Sequence, residues 1–186
     1  RELQKETKLA STFTTGQLAN AAQEIVRANR SETESLDILR NSITFAISEH
    51  KDLANVGLEL STVLRQFNID TSEAGTVANK FAQAGNLAKV GASEFLEGIA
   101  NAGDQLAAFG FTLDEGLALL IEMDNKGFSP ADKGARALSG ALSAIGSPTQ
   151  KALGVFKDLG ITTSDVKTRF IQLIEVLANS KDGATK

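Results

Sequence analysis

Five short stretches of the chain repeat one local pattern. A bulky apolar residue is followed by a short oxygen-bearing residue, with an acid or Gln three positions later. They are Phe13-Thr14 with Gln17, Ile69-Asp70 with Glu73, Phe111-Thr112 with Glu115, Phe128-Ser129 with Asp132 and Ile161-Thr162 with Asp165. Each reads as a helix start. The oxygen of Thr14, Asp70, Thr112, Ser129 or Thr162 can accept from an unpaired backbone N–H of the first turn, and the side chain three residues on can reach back. The acids also sit where the helix dipole favours negative charge. Starts set this closely divide 186 residues into short helices joined by tight turns.

The apolar spacing between these starts is helical throughout. Residues 15–29 align Leu18, Ala22 and Ile25 on one face. Ser31 and Glu34 form a further capping box, followed by Leu36, Leu39, Ile43 and Ile47. Leu53, Val56, Leu60, Val63 and Phe67 make the cleanest stripe; two heptads are too few for an intermolecular coiled coil, so it reads as a core-facing helix. Residues 70–84 form the next helix, ended near Gly85, and Ser93 caps another that buries Phe95, Ile99, Leu106 and Phe109 before Gly110. A short helix from Thr112 to about Asn125 stops at Gly127. Ser129-Pro130 then restarts the chain, with Pro where its missing N–H costs nothing. That helix turns Ala131, Ala135, Leu138, Leu142 and Ile145 inward. Gly146-Ser147-Pro148 repeats the stop and start, and Leu153, Phe156 and Leu159 follow. The last helix, from about residue 163 to 179, carries Val166, Phe170, Leu173 and Leu177 ahead of a frayed tail at 181–186. At Ile161 a hydrophobic staple partner is at hand as Val166; at Phe111 that position is Gly116, so Phe111 must pack elsewhere. No run alternates with the period of a strand. The expected fold is all-α, a compact array of about eight to nine short helices. It is read as one domain over 1–186, with lobes at 1–85 and 91–180 as the alternative division.

Composition narrows the function classes. The net charge is -4 and no basic cluster stands out, which argues against a direct nucleic-acid site. The aromatic set is ten Phe without Trp or Tyr, a poor platform for bases or sugars. There is no cysteine, so disulfides and thiolate metal sites are excluded. The longest apolar run, Leu117 to Ile121, is far too short to span a bilayer. No signal peptide is visible and the chain starts at Arg1 rather than Met, which suggests a piece of something longer.

Catalytic chemistry has little to stand on. The single His50 lies in the polar junction Glu49-His50-Lys51-Asp52, which fits a surface or capping role. Without a second His or any Cys, neither an imidazole–thiolate metal site nor a nucleophile–histidine pair can be assembled. The acid pairs Asp114-Glu115 and Glu122/Asp124 read as solvated faces, the first in a helix first turn and the second before a Gly stop. Gly134-Ala135-Arg136 and Gly140-Ala141 fall inside a helix rather than after a strand, so they are not phosphate loops. Ala137/Ala141 and Gly140/Ala144 sit one turn apart; they allow close helix packing, within the chain or between subunits. No catalytic, cofactor-binding or metal residue is assigned, and the chain is expected not to be an enzyme.

The order of the turns carries a resemblance. Phe109-Gly110-Phe111-Thr112-Leu113-Asp114-Glu115, Lys126-Gly127-Phe128-Ser129, Ala135-Arg136-Ala137-Leu138 and Leu159-Gly160-Ile161-Thr162 follow one another as in the core region of bacteriophage tail tape measure proteins. That family pattern is A-x-x-x-G-x-S/T-x-E/D-x-x-A-L-L, then a Gly-apolar-Ser turn, a G-T-A-L-R helix, a Pro and an L-G-I/V turn. Upstream, Phe67 to Asp70, Ala78 to Ala82 and the helix near Ser93–Leu96 resemble the family's Ala-rich short helices. The chain departs from the pattern at Lys133 to Leu138, where the arginine is displaced, so no role is carried onto Arg136. The resemblance covers most of residues 13–178.

The resemblance implies a structural, non-enzymatic tail component of a long-tailed phage or prophage. Such proteins fill the tail tube lumen, set tail length, act in tail assembly and leave ahead of the DNA. The implied partners are the tail tube protein, tail assembly chaperones and baseplate or tail-tip proteins, with a homo-oligomer expected. The implied location is the virion tail lumen, and the host cytoplasm during assembly. A helix rises about 1.5 Å per residue, so a ruler should be long and uninterrupted. A chain broken by Gly or Pro about every fourth or fifth turn is instead a compact part of the larger protein, concerned with assembly or with anchoring one end. Two other readings stay open. A membrane-active, pore-forming helical domain is suggested by the apolar Leu117–Ile121 region, and a wall-degrading hydrolase fragment would need Glu115 or Glu122 as its carboxylates.

Overall fold

The computed structural model describes residues 11–28 and 31–183, with residues 180–183 defined through their backbone alone. Among these residues there are nine α-helices and no strand. They are α1 (Thr15–Arg27), α2 (Glu32–Glu49), α3 (Leu53–Gln66), α4 (Ala74–Leu87), α5 (Ala92–Ala108), α6 (Leu113–Asn125), α7 (Ala135–Gly146), α8 (Gln150–Asp158) and α9 (Val166–Gly183). A 3₁₀ turn at Thr71–Glu73 leads into α4, and a π turn at Pro130–Gly134 leads into α7. The all-α fold class expected from the sequence is the one that forms. Residue 29, the expected end of the first helix, and residues 184–186 of the expected frayed tail lie outside the described residues.

Five of the turns share one construction. At Gly110, Gly127 and Gly160 the backbone is left-handed, with φ of 80°, 87° and 77°. His50 and Asn68 adopt the same conformation at 54° and 50°. At each, the next residue's N–H donates back to the carbonyl five positions earlier: Lys51 to Ala46, Ile69 to Leu64, Phe111 to Leu106, Phe128 to Met123 and Ile161 to Phe156, at 2.8–3.0 Å. This is the Schellman stop, in which the residue after the left-handed one makes an apolar contact back onto the helix just ended. The bulky residue before each of four expected caps (Ile69, Phe111, Phe128 and Ile161) therefore belongs to the stop of the preceding helix. Stop and start are fused, and the chain reverses within a few residues.

The starts are less uniform than the sequence suggests. Thr14, Ser31 and Thr112 form complete capping boxes with Gln17, Glu34 and Glu115. Asp70 instead closes the 3₁₀ turn, accepting from the N–H and hydroxyl of Ser72 at 2.9 and 2.6 Å, and Glu73 does not reach back. Ser129 caps nothing. Its hydroxyl donates to the Glu94 carboxylate on α5 at 3.2 Å, a charge-assisted bond, while the wide π turn sends the Gly134 N–H to the Ser129 carbonyl. Thr162 precedes the start of α9, whose cap is Asp165: its carboxylate accepts from the Thr168 N–H at 2.8 Å and its carbonyl from Arg169 N–H. The physical reason is Arg169, whose Nε and Nη2 take the Thr163 carbonyl at 3.0 and 2.6 Å and hold that peptide out of the helix. Gly91, not Ser93, occupies the cap position of α5, and Ser93 N–H donates to Glu49 at 3.0 Å. Helix α4 ends two residues after Gly85, at Leu87, and the Ala88 N–H donates to the Gly85 carbonyl.

Helix α5 is the centre of the packing. It touches α3 and α4 on one side and α6, the π turn and α7 on the other. Phe95, Leu96, Ile99, Ala102 and Leu106 along it are 1% exposed or less, so the helix is covered on most of its circumference. Close approach is possible because Gly98 carries no side chain: a Cβ there would lie 2.5 Å from the Pro130 carbonyl oxygen. Helices α1 and α2 pack on α3, and α2 also packs on α4. The buried apolar side chains form one cluster from Ala21 to Phe170, drawing on residues from both sides of the 85–91 link.

The C-terminal part is attached more lightly. Helix α8 buries Phe156 but leaves Leu153, and Leu159 in the turn after it, 38% and 40% exposed. On α9, Phe170 is buried, whereas Leu177, expected inward, is exposed. Arg169 secures this region. Besides Thr163 it donates to the Ile145 carbonyl at the end of α7 at 2.8 Å, and its guanidinium lies 5.6 Å from the centre of the Phe156 ring.

Candidate interaction surface

The residues with chemical potential are spent on structure. His50 sits in the left-handed turn after α2. Asp114 takes both its bonds from Lys80 of α4 at 2.6 Å. Glu115 caps α6 through the Thr112 N–H at 2.8 Å and also receives Lys167 of α9 at 2.8 Å. The Lys167 ammonium and the Thr112 N–H hold its carboxyl below the usual range. Asp124 is not on a solvated face as expected: it is buried and accepts from the Lys89 N–H at 3.0 Å, tying the end of α6 to the link between α4 and α5. Glu122 is exposed, as expected. Arg136 pairs on the surface with Asp132. Among the described residues no group of three His, Cys, Asp or Glu side chains could hold a metal ion, and no helix is long and apolar enough to cross a membrane.

Two clefts carry charged side chains, the first of them over a largely apolar lining. One of about 460 Å³, between the end of α3, α4 and the α5–α6 turn, is bridged by the Lys80–Asp114 pair. Another, of about 220 Å³ between α3 and α5, is lined by Lys51, Asp52, Glu59 and Glu97. Burial and the neighbouring Glu97 carboxylate push Glu59 up to about 7, against the opposing pull of Lys51.

The third cleft is apolar. It lies between α6 and α9 over a floor of Phe111 and Phe170, whose rings meet edge to face with centroids 5.7 Å apart. Lys167 spans the end of this floor, 5.4 Å from the Phe111 ring centre and 3.2 Å from the Gly110 carbonyl. Phe111 thus packs across to α9. The groove has a volume of about 330 Å³; Ala118 and Leu119 form one wall and Ile171 and Ile174 the other. Ile171 and Ile174 are 43% and 45% exposed. Six of the ten exposed large apolar side chains among the described residues lie on α8, the turn after it or α9. The Ala137/Ala141 and Gly140/Ala144 pairs of α7 are also exposed, so they do not serve packing within the chain.

Sequence reasoning assigned helix caps and missed this groove. The legible signal was α9 itself. Ile171, Ile174 and Val176 add to Val166, Phe170, Leu173 and Leu177, more apolar positions than one core-facing stripe accommodates.

Comparisons with known proteins point in one direction. The model of the family described as phage-related minor tail protein matches residues 2–185. A curated relative, the "Tape measure protein" of Pneumococcus phage Dp-1, is 25% identical over 171 residues, which is 92% of this chain and 15% of the relative. The chain thus spans less than a sixth of that relative's length. No solved structure matches.

Proposed function

The chain belongs to the phage-related minor tail protein family, and from that premise we propose that it is the compact core domain of a tape measure protein, a single helical unit of a longer chain that acts in tail assembly. The family indicates a structural role in the phage tail and a place in the virion. The domain sits in the tail lumen, contacts the tail tube protein, assembly chaperones and tail-tip proteins, and passes through the host cytoplasm during assembly. It carries no catalytic step.

The observation that carries this reading is the fused stop-and-start turn. The longest helices, α2 and α9, are 18 residues each, and left-handed stops end five of the first eight helices: α2, α3, α5, α6 and α8. As one continuous helix, 186 residues would span about 280 Å. A folded unit of this size is on the order of 40 Å across. The domain is therefore an organising element of the measuring protein rather than part of its measured length. The pore-forming alternative has no spanning helix among the described residues.

Tail length in electron micrographs tests the proposal. In the phage that encodes this chain, tandem duplication of the segment leaves tail length unchanged to within about 40 Å, and in-frame deletion abolishes or misregulates tail formation. Tails lengthened by about 280 Å on duplication would refute it.

A further inference from the structure

We infer that the groove between α6 and α9 is the seat of a third helix, supplied by a partner protein and carrying an apolar stripe flanked by lysine or arginine. An apolar trough lies between the two helices over an aromatic floor. Glu115, Ala118, Leu119 and Glu122 fall at helical spacing along one wall, so an incoming helix meets two turns of α6. The trough is apolar at its base, where Phe111 and Phe170 are buried, and open at its sides, where Ile171 and Ile174 meet solvent.

The rim specifies the partner's charge. Glu115, Glu122 and Glu175 line the groove, and the basic side chain at the end of its floor, Lys167, is held by Glu115. Glu115 already has Lys167, but Glu122 and Glu175 form no ion pair among the described residues. One carboxylate stands on each wall, so basic side chains flanking an apolar stripe would be matched on both sides. A symmetric contact with a second copy is disfavoured, because it would bring the carboxylates of both grooves together. The inference concerns the groove alone and does not depend on the tape-measure reading.

Two synthetic helical peptides of about 18 residues, or five turns, test it. They share one leucine stripe, flanked by lysine in one and by glutamate in the other, and their binding to the chain is followed by fluorescence anisotropy at physiological salt. The lysine peptide binds at least about tenfold tighter than the glutamate peptide. Glu122→Lys with Glu175→Lys reverses that preference. Ile171→Ser with Ile174→Ser, both exposed and therefore compatible with folding, weakens the lysine peptide by at least about tenfold; circular dichroism checks that the helices remain. Equal binding of the two peptides, or lysine-peptide binding that survives the serine pair, overturns the inference. So does self-association that competes with the peptide and is lost in the serine pair, since it would assign the groove to a second copy.

Discussion

Glu59→Gln is expected to stabilise the domain at pH 8 and to leave it nearly unchanged at pH 4. Glu59 is half-buried on α3, facing Glu97 of α5, with Lys51, Asp52, Asn55 and Ser93 around the same cleft. Burial first, and the Glu97 carboxylate second, raise its pKa from 4.5 to about 7, and Lys51 offsets part of the rise. The sign follows from linkage. A carboxyl whose pKa is raised in the folded state contributes its stability fully below pH 4.5, where both states hold the proton. That contribution is lost as pH climbs to about 7, where the folded state must accept a charge the unfolded state already carries. At 1.36 kcal/mol per pH unit the interval corresponds to about 3.4 kcal/mol. Solvent reaches part of the carboxylate and screens it, which reduces the effect to about 1–1.5 kcal/mol. Gln keeps the shape and removes the charge. Urea denaturation of both proteins at about pH 4, 6 and 8 gives the difference directly, and carboxylates with lowered pKa values, such as Glu115 and Asp165, cancel in it. A stability difference that does not change with pH, or a variant less stable at pH 8, would refute the account of the cleft.

Other substitutions separate the packing devices. Gly98→Ala places a Cβ 2.5 Å from a backbone carbonyl oxygen that cannot rotate away, so a loss of about 1–3 kcal/mol should outweigh the gain of about 1 kcal/mol in helix propensity. Gly140→Ala, with nothing within 4 Å, should raise the denaturation midpoint through a gain of about 0.5–1 kcal/mol. Arg169→Met leaves the Thr163 and Ile145 carbonyls without their donor; a loss of about 2–3 kcal/mol and faster proteolysis in the 160–165 turn are expected. Gly127→Ala forces a side chain into left-handed backbone at a cost of about 1 kcal/mol, whereas His50→Gly relieves the same conformation and should stabilise the domain in thermal unfolding.

What the sequence made legible was local. Helix existence, the three capping boxes and the inward stripes of α3 and α7 follow from chemistry within a few residues, so a linear reading reaches them. The misplacements at Ser93, Ser129 and Thr162 have a different origin. In each case a charged group outside the capping motif fixes the local geometry: Glu49, 44 residues away, takes the Ser93 N–H, Glu94, 35 away, takes the Ser129 hydroxyl, and Arg169, six away, takes the Thr163 carbonyl. A cap bond is worth about 1 kcal/mol, comparable to what one charge-assisted bond provides, so tertiary partners can move a start by one turn. Asp124 escaped for the same reason, since the backbone N–H that justifies its burial lies 35 residues away.

Small residues show why spacing alone cannot locate an interface. Gly98 and Ala102 on α5 are one turn apart, and so are Gly140 and Ala144 on α7. The first pair is buried and the second exposed. A missing side chain states only that another backbone can approach; whether it does is decided by the bulky neighbours. Phe95, Leu96, Ile99 and Leu106 surround α5 with apolar bulk and draw helices onto several faces, whereas Leu138, Leu142 and Ile145 give α7 one buried stripe and leave its small residues outside it. The same logic explains the groove. The apolar positions of α9 exceed what its single neighbouring core can cover, so Ile171 and Ile174 stand on an open wall beside α6. Exposed apolar bulk also occurs elsewhere, at Val26, Leu36, Leu87 and Phe128, but only at this wall do two such side chains line an apolar cleft beside carboxylates that no cation pairs among the described residues.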